Sequence, residues 1–319
     1  FSAIWIIVAN SWMQTPAGYH IVGEGMDARA EIIDFWAMVF NPSSMDRLVH
    51  SVIGAWLSGA FLVISVAAFY MLRGRHLAFA NASMKVALGI ALVAVPLQAI
   101  SGDSSGQVVA KHQPMKLAAM EGLFHTEKHV QLTLFGIPNV ARESIDYQLA
   151  IPGMLSYLSF RDFNAEIKGL DQVPKSDWPK VGVVFSVFRL MLAMWGAMLL
   201  CTLLGAYYWF KGRLDQNVWV LRLMTVSVLF PQIGNQAGWM VAEMGRYPWI
   251  VYGHLRISEG LSKSVTANQI LGSIIMFGIV YFFLFILFVY ILNEKISHGP
   301  EDIVDSPIYP RHEEYTRHS

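Results

Sequence analysis

The chain has 319 residues, 55% hydrophobic and only 14% charged, with a mean hydropathy of +0.44. A water-soluble domain carries about a quarter charged residues, so the composition excludes an ordinary soluble enzyme and points to lipid as the solvent. Lys plus Arg (23) balances Asp plus Glu (23), which gives no electrostatic ground for a nucleic-acid partner. The single cysteine, Cys201, excludes an intrachain disulfide and a cysteine-held iron–sulfur cluster.

Phe1 opens directly into an apolar run to Met13, with no initiator Met, no basic residues before it and no small-residue cleavage motif. It reads as the end of a membrane helix whose start lies upstream, not as a signal peptide. Five further apolar stretches approach or exceed the ~20 residues that cross a bilayer: Val49 to Leu72, Ser83 to Ile100, Val181 to Phe210, Val218 to Ala242 and Gln269 to Leu292. Open strands cannot satisfy their backbone in lipid. The expected fold is therefore all-α, a polytopic transmembrane helical bundle of five full helices plus one partial helix at the N-terminus.

Loop charge sets the expected orientation. Arg73, Arg75 and Lys85 crowd one connection, and Lys211, Arg213 and Arg222 flank another two crossings later. The cytoplasmic bias of Lys and Arg puts both inside. The same alternation puts residues 293–319, polar and punctuated by proline in GPEDIVDSPIYPRHEEYTRHS, inside as a mobile tail. Four segments follow: helices over 1–100, an outer (periplasmic) loop over 101–180, helices over 181–292, and the tail. The loop is far longer than an unstructured connection of ~15 residues. It is expected to be an ordered cap, with an amphipathic stretch at Met115 to Gly122 and a short apolar unit at Leu132 to Pro138.

Several residues could carry chemistry. His50, at the outer edge of its helix, reads either as an interfacial polar anchor or as a metal ligand. Met191 lies about ten residues into its helix, or ~15 Å along the axis. Imidazole and thioether can together cap the axial positions of a low-spin haem, although Met194 and Met198 share its face and packing explains all three. Arg189 costs at least ~2.5 kcal/mol inside an apolar helix and needs a partner, which either a haem propionate or snorkelling to headgroups would supply. At and just before GWMVAEMGRYPW (Gly238 to Trp249), Asn235, Trp239, Glu243 and Arg246 fall on one helical face by i+4 and i+3 spacing. The face reads as an aromatic belt with an interfacial ion pair, or as a carboxylate iron ligand backed by a cation. Pro231 is expected to kink this helix. Lys116 and Glu121, in KLAAMEG, read as a solvated loop helix or as a donor and base for a quinol head group. Asp103, in SGDSSG, reads as a turn residue.

RLVHSV around His50, SGDSSG, KLAAMEG, LFGIP, FRLM around Arg189 and Met191, and GWMVAEMGRYPW follow one another along almost the whole chain. Together they resemble subunit I of the cytochrome bd-type quinol oxidases. The resemblance implies a haem subunit of a respiratory terminal oxidase that oxidises quinol, reduces O2 to water and contributes to the proton gradient, in the bacterial cytoplasmic (inner) membrane. It implies His50 and Met191 as axial ligands of a low-spin haem b, supported by Arg189. It also implies Glu243 as an iron ligand in a high-spin pair, supported by Arg246, and Lys116 and Glu121 at the quinol site. The implied cofactors are low-spin haem b, high-spin haem b, and haem d or a third haem b. The implied partners are a second membrane subunit, ubiquinol or menaquinol, O2 and membrane lipid.

The chain departs from the family at Tyr247, where GRYPW replaces GRQPW, and at Gln236, where a glutamate is frequent. Its loop is short, as in the kind that includes cyanide-insensitive oxidases, which leaves haem d open. Upstream helices that the family uses for the rest of the oxygen site are expected before Phe1. The rival readings are a polytopic transporter and a His/Met electron-transfer cytochrome without oxygen chemistry.

Overall fold

The computed structural model describes residues 2–23, 28–261 and 264–300. The expected C-terminal tail therefore lies mostly outside the described residues.

α1 (Ser2–Gln14) is followed by a small antiparallel hairpin, β1 (Tyr19–Val22) with β2 (Arg29–Ile32), and one short turn of helix, α2 (Phe35–Val39). α3 (Ser44–Arg73) and α4 (Leu77–His112) then form the central antiparallel pair. Their connection turns at Gly74, whose φ of 64° is one that a side chain resists, and the amides of Gly74 and Arg75 close on Met71 O and Tyr70 O. Alanines 80, 87, 91 and 94 are almost fully buried along α4. Small side chains let two helices approach where hydrophobic transfer alone offers no drive in lipid. Leu57, Phe61 and Ile64 of α3 fill the seam with Met84, Leu88 and Val95 of α4. α7 (Val181–Phe210) and α8 (Val218–Val226) close this core with Met198, Cys201, Leu221 and Met224.

α3, α4, α7 and α10 (Ala267–His298) are long and apolar enough to cross a membrane. Mean hydropathy rises to 2.9 over α10, none of whose apolar window is buried. The body holds that helix near its end, where Tyr70 Oη donates to Ile296 O (2.9 Å) and Arg75 Nη2 to Ser297 O (3.1 Å). So apolar a surface is compatible only with lipid or with further apolar helices.

The mostly helical architecture matches the sequence expectation, and α7 spans the expected limits. α3 and α4 begin five and six residues before the expected Val49 and Ser83, and three further limits differ. α4 does not stop at Ile100: it runs through SGDSSG to His112, so Asp103 is a helix residue and not a turn residue. Partners make the extension affordable, since Ser105 Oγ donates to Asp46 Oδ2 (2.5 Å) and Asp103 pairs with Arg161. The single helix expected from Val218 to Ala242 is two, α8 and α9 (Leu229–Met244), broken at Ser227 and Val228. Pro231 has no N–H for the carbonyl of Ser227, which takes Phe230 N instead at 3.1 Å. Finally, α10 continues six residues past Leu292, into what was expected to be tail.

From Gln113 to Lys180 an ordered cap covers one end of the bundle. It contains α5 (Pro114–Glu121), the two-residue strands β3 (Glu127–Lys128) and β6 (Glu166–Ile167), the hairpin β4 (Leu132–Asn139) with β5 (Ser144–Ile151), and α6 (Met154–Phe160). The apolar unit from Leu132 is thus a strand. Ala118 and Ala119 are fully buried, which brings α5 close against α7. Beyond α9, the strands β7 (Trp249–Val251) and β8 (Leu255–Arg256) form a last hairpin at the same end.

Candidate functional site

His50 faces α4. Its Nδ1 lies 2.9 Å from Ser101 Oγ, and its Nε2 lies 3.0 Å from Gln98 Nε2. Gln98 Nε2 lies 3.3 Å from Nδ1 as well; because Ser101 Oγ gives its own proton to Gln98 O at 3.1 Å, the hydroxyl accepts from Nδ1–H, which leaves Nε2 as the lone-pair nitrogen. A ligating histidine is held in the same way, by an outer hydrogen bond on the nitrogen that does not bind metal. The Gln98 amide therefore sits on the lone pair that an iron would take, and its own Oε1 is buried without a partner.

Met191 packs on α9. A Cβ added at Gly238 would lie 3.0 Å from its sulfur, and one at Gly234 would lie 3.4 Å from Met194 Cβ. Met198 is buried in the α3–α4–α7 core. The three methionines therefore have different surroundings. His50 and Met191 have separate partners, on α4 and α9.

Arg189 is partnered within the protein. It donates from Nη2 to Glu121 Oε2 at 2.7 Å and from Nη1 to Met120 O at 3.0 Å, and lies 4.3 Å over the Phe185 ring. Both side chains are withdrawn from solvent, Arg189 being 13% and Glu121 4% exposed. Burial pushes the Glu121 carboxyl above the usual carboxylate range, against the pull of Arg189.

Lys116 and Glu121 are not a pair. Five residues apart on α5, they point to opposite sides of it. Lys116 Nζ donates to Gln14 Oε1 (2.5 Å) and Gln113 Oε1 (2.8 Å). Gln14 in turn donates to Ala242 O (3.1 Å), so Lys116 belongs with α1 and α9. Complete burial with no carboxylate bonded to it holds the ammonium pKa well below its ordinary value.

Glu243 is fixed at both oxygens. Oε1 accepts from Asn10 Nδ2 at 2.7 Å and Oε2 from Arg246 Nη2 at 2.6 Å. Arg246 is 6% exposed, yet among the described residues its Nε and Nη1 have no partner. Asn235 turns from this site to α3, donating to Ser58 Oγ at 3.0 Å and Gly54 O at 3.3 Å. Trp239 is 47% exposed, and Trp249 lies under Arg256 at 4.8 Å.

Sequence reasoning missed Asn10 and Arg47, which form one polar cluster with Glu243 and Arg246, and Gln14, which forms a second with Gln113 and Lys116. Their signal was available, since Asn10 and Gln14 stand at i and i+4 in an otherwise apolar run.

The donor set fits haem. Among the described residues no three His, Cys, Asp or Glu side chains converge as a complete metal shell. A macrocycle supplies four ligands itself and needs only axial groups, such as the held imidazole of His50, the Met191 thioether and the Glu243 carboxylate. The buried N–H groups of Arg246 and Arg189 Nε, all without partners, suit the carboxylate arms of such a group.

The sequence profile described as cytochrome bd terminal oxidase subunit I matches residues 1–300. The chain is 34% identical over 310 residues to a Bacillus subtilis cytochrome bd ubiquinol oxidase subunit 1, covering 94% of this chain and 65% of that relative. It is 27% identical over 365 residues to the cytochrome bd-II ubiquinol oxidase subunit 1 of Escherichia coli, covering 94% and 70%. A solved bd oxidase from Geobacillus thermodenitrificans superposes with a TM-score of 0.82 at 27% identity, over 94% of this chain and 67% of that one. The chain thus spans about two thirds of these proteins.

Proposed function

Since this chain belongs to the cytochrome bd terminal oxidase subunit I family, we propose that it is the haem-bearing subunit of a respiratory oxidase that oxidises quinol and reduces O2 to water. The observation that carries this reading is the Glu243 site: a carboxylate held at both oxygens beside a buried arginine with two free N–H groups.

His50 and Met191 are proposed to hold a low-spin haem b, and Glu243 a high-spin haem b, with haem d or a third haem b completing the oxygen site. Bound haem would supply the one-electron steps and the oxygen chemistry. Ser101 fixes the His50 ring, and Asn10 and Arg246 fix the Glu243 carboxylate.

The capped end is proposed to face outward in a bacterial inner membrane and to receive ubiquinol or menaquinol, with the C-terminal end of α10 inside. The quinol segment expected over 101–180 is the cap from Gln113 onward. There Glu121, with a carboxyl biased toward holding a proton, accepts a quinol proton, and Arg189 keeps it oriented. A second membrane subunit and lipid cover the remaining apolar faces.

The test is quinol-driven O2 uptake by the full-length complex, wild type against Glu121→Gln. Removing a general base lowers turnover by about 100-fold or more, and that loss is expected in kcat. Wild-type turnover in Glu121→Gln would overturn the role of this residue, and no quinol-driven uptake by the wild-type complex would overturn the oxidase reading.

A further inference from the structure

Arg47 opens the RLVHSV segment around His50, where the resemblance gives it no role of its own, and it reaches the Glu243 carboxylate through a single intermediate. It lies in the first turn of α3, three residues before His50. Its Nη2 donates to Asn10 Oδ1 at 2.5 Å and its Nη1 to the backbone oxygen of Asn10 at 3.4 Å. Asn10 Nδ2 then donates to Glu243 Oε1 at 2.7 Å.

The order of these atoms is forced by chemistry. An asparagine amide has an accepting end and a donating end of nearly equal size, and only its partners decide which way it points. Guanidinium has no acceptor, so the amide oxygen must face Arg47. A carboxylate has no donor, so the amide nitrogen must face Glu243. Arg47 and Glu243 thus impose the same orientation from opposite ends, and the contact to the Asn10 backbone anchors the guanidinium while it does so. Without Arg47 the amide loses the partner that fixes its oxygen. Glu243 alone then holds the amide, so the donor on Oε1 is less firmly placed.

We infer that Arg47 is a positioning residue for Glu243, acting through Asn10 to set which face of the carboxylate is free for a ligated group. The inference rests on the reading of Glu243 as an iron ligand. It adds that α1 and α3 carry an outer shell that holds this ligand from the side opposite Arg246. Removing such outer partners lowers metal affinity or activity by about 10- to 100-fold.

The test uses the full-length complex, with the optical spectrum, redox titration and haem content per protein as readouts. Arg47→Leu and Asn10→Leu are each expected to shift the high-spin haem signature and to weaken its retention by about 10- to 100-fold, while the low-spin band stays as in wild type. Arg47→Lys keeps a donor toward Asn10 and restores most of the signal. The double variant Arg47→Leu/Asn10→Leu is no worse than the worse single variant, because both break one chain of contacts.

Wild-type high-spin signatures in both single variants, together with loss of that signature in Glu243→Ala, would overturn the inference alone. Retention of the signature in Glu243→Ala would overturn the ligand reading, and the inference with it. Equal loss of both haem bands with a lowered melting temperature would mark Arg47 as a plain tie between α1 and α3 and overturn its positioning role. Where Arg47→Leu does not assemble, Arg47→Met decides, since it keeps the length of the side chain and removes its donors while leaving the Asn10 contact to Glu243 available: a shifted high-spin signature supports the inference and a wild-type one overturns it.

Discussion

Replacing Arg189 by Leu should loosen α5 from α7 in a pH-dependent way. The ion pair to Glu121 spans 2.7 Å with the two side chains 13% and 4% exposed, and Glu121 has no other hydrogen-bonded cation. Breaking a buried pair from one side costs about 3–5 kcal/mol, or roughly two to three and a half powers of ten in the opening equilibrium. The sign with pH follows from the raised Glu121 carboxyl. The docked cap binds more protons than the open one, so its stability falls as pH rises from the usual carboxylate value through the raised one. Loss of Arg189 removes the opposing pull and extends that window upward. Hydrogen exchange over residues 114–121 of the intact complex reads this directly. Protection in Arg189→Leu should be near wild type in acid, where Glu121 is protonated, and far lower in alkali. Adding Glu121→Leu should recover much of it, since the lone charge is then gone. Equal protection in wild type and Arg189→Leu at both ends of the range, or a loss that ignores pH, would refute the reasoning.

Lys116 has the opposite sign. Its lowered pKa makes the folded state release the proton first, so stability rises with pH from that lowered value up to the ordinary 10.5; Lys116→Met should abolish the rise in thermal melts taken from neutral to alkaline pH. Gly245→Ala would place a Cβ 2.6 Å from Val241 O and 2.8 Å from Lys116 Cγ, and should cost about 1–3 kcal/mol in the same melts. Arg256→Ala breaks a pair to Asp177 with side chains 39% and 16% exposed, and should leave the melting temperature close to wild type, with any difference shrinking at high salt.

The helices were legible because length and apolarity in lipid leave few alternatives, and α7 kept its expected limits for that reason. SGDSSG misled because its polar residues find partners on α3 and in the cap, which local turn preference cannot anticipate. The gap between α8 and α9 was legible in kind, since Pro231 marks it, although the break falls one turn earlier. The resemblance named Lys116 and Glu121 together, but five residues on a helix separate their directions, and only the packing of α5 between α7 and α9 shows that they meet different partners. Asn10 stood out as a polar residue in an apolar run, but its partners and those of Arg47 could not be read, because each contact crosses from one element to another.

The most direct test of the central claim is the reduced-minus-oxidised spectrum of the purified full-length complex, taken with and without CO. The account predicts a low-spin haem b band together with a CO-reactive high-spin species. A complex with no haem band at all would contradict it.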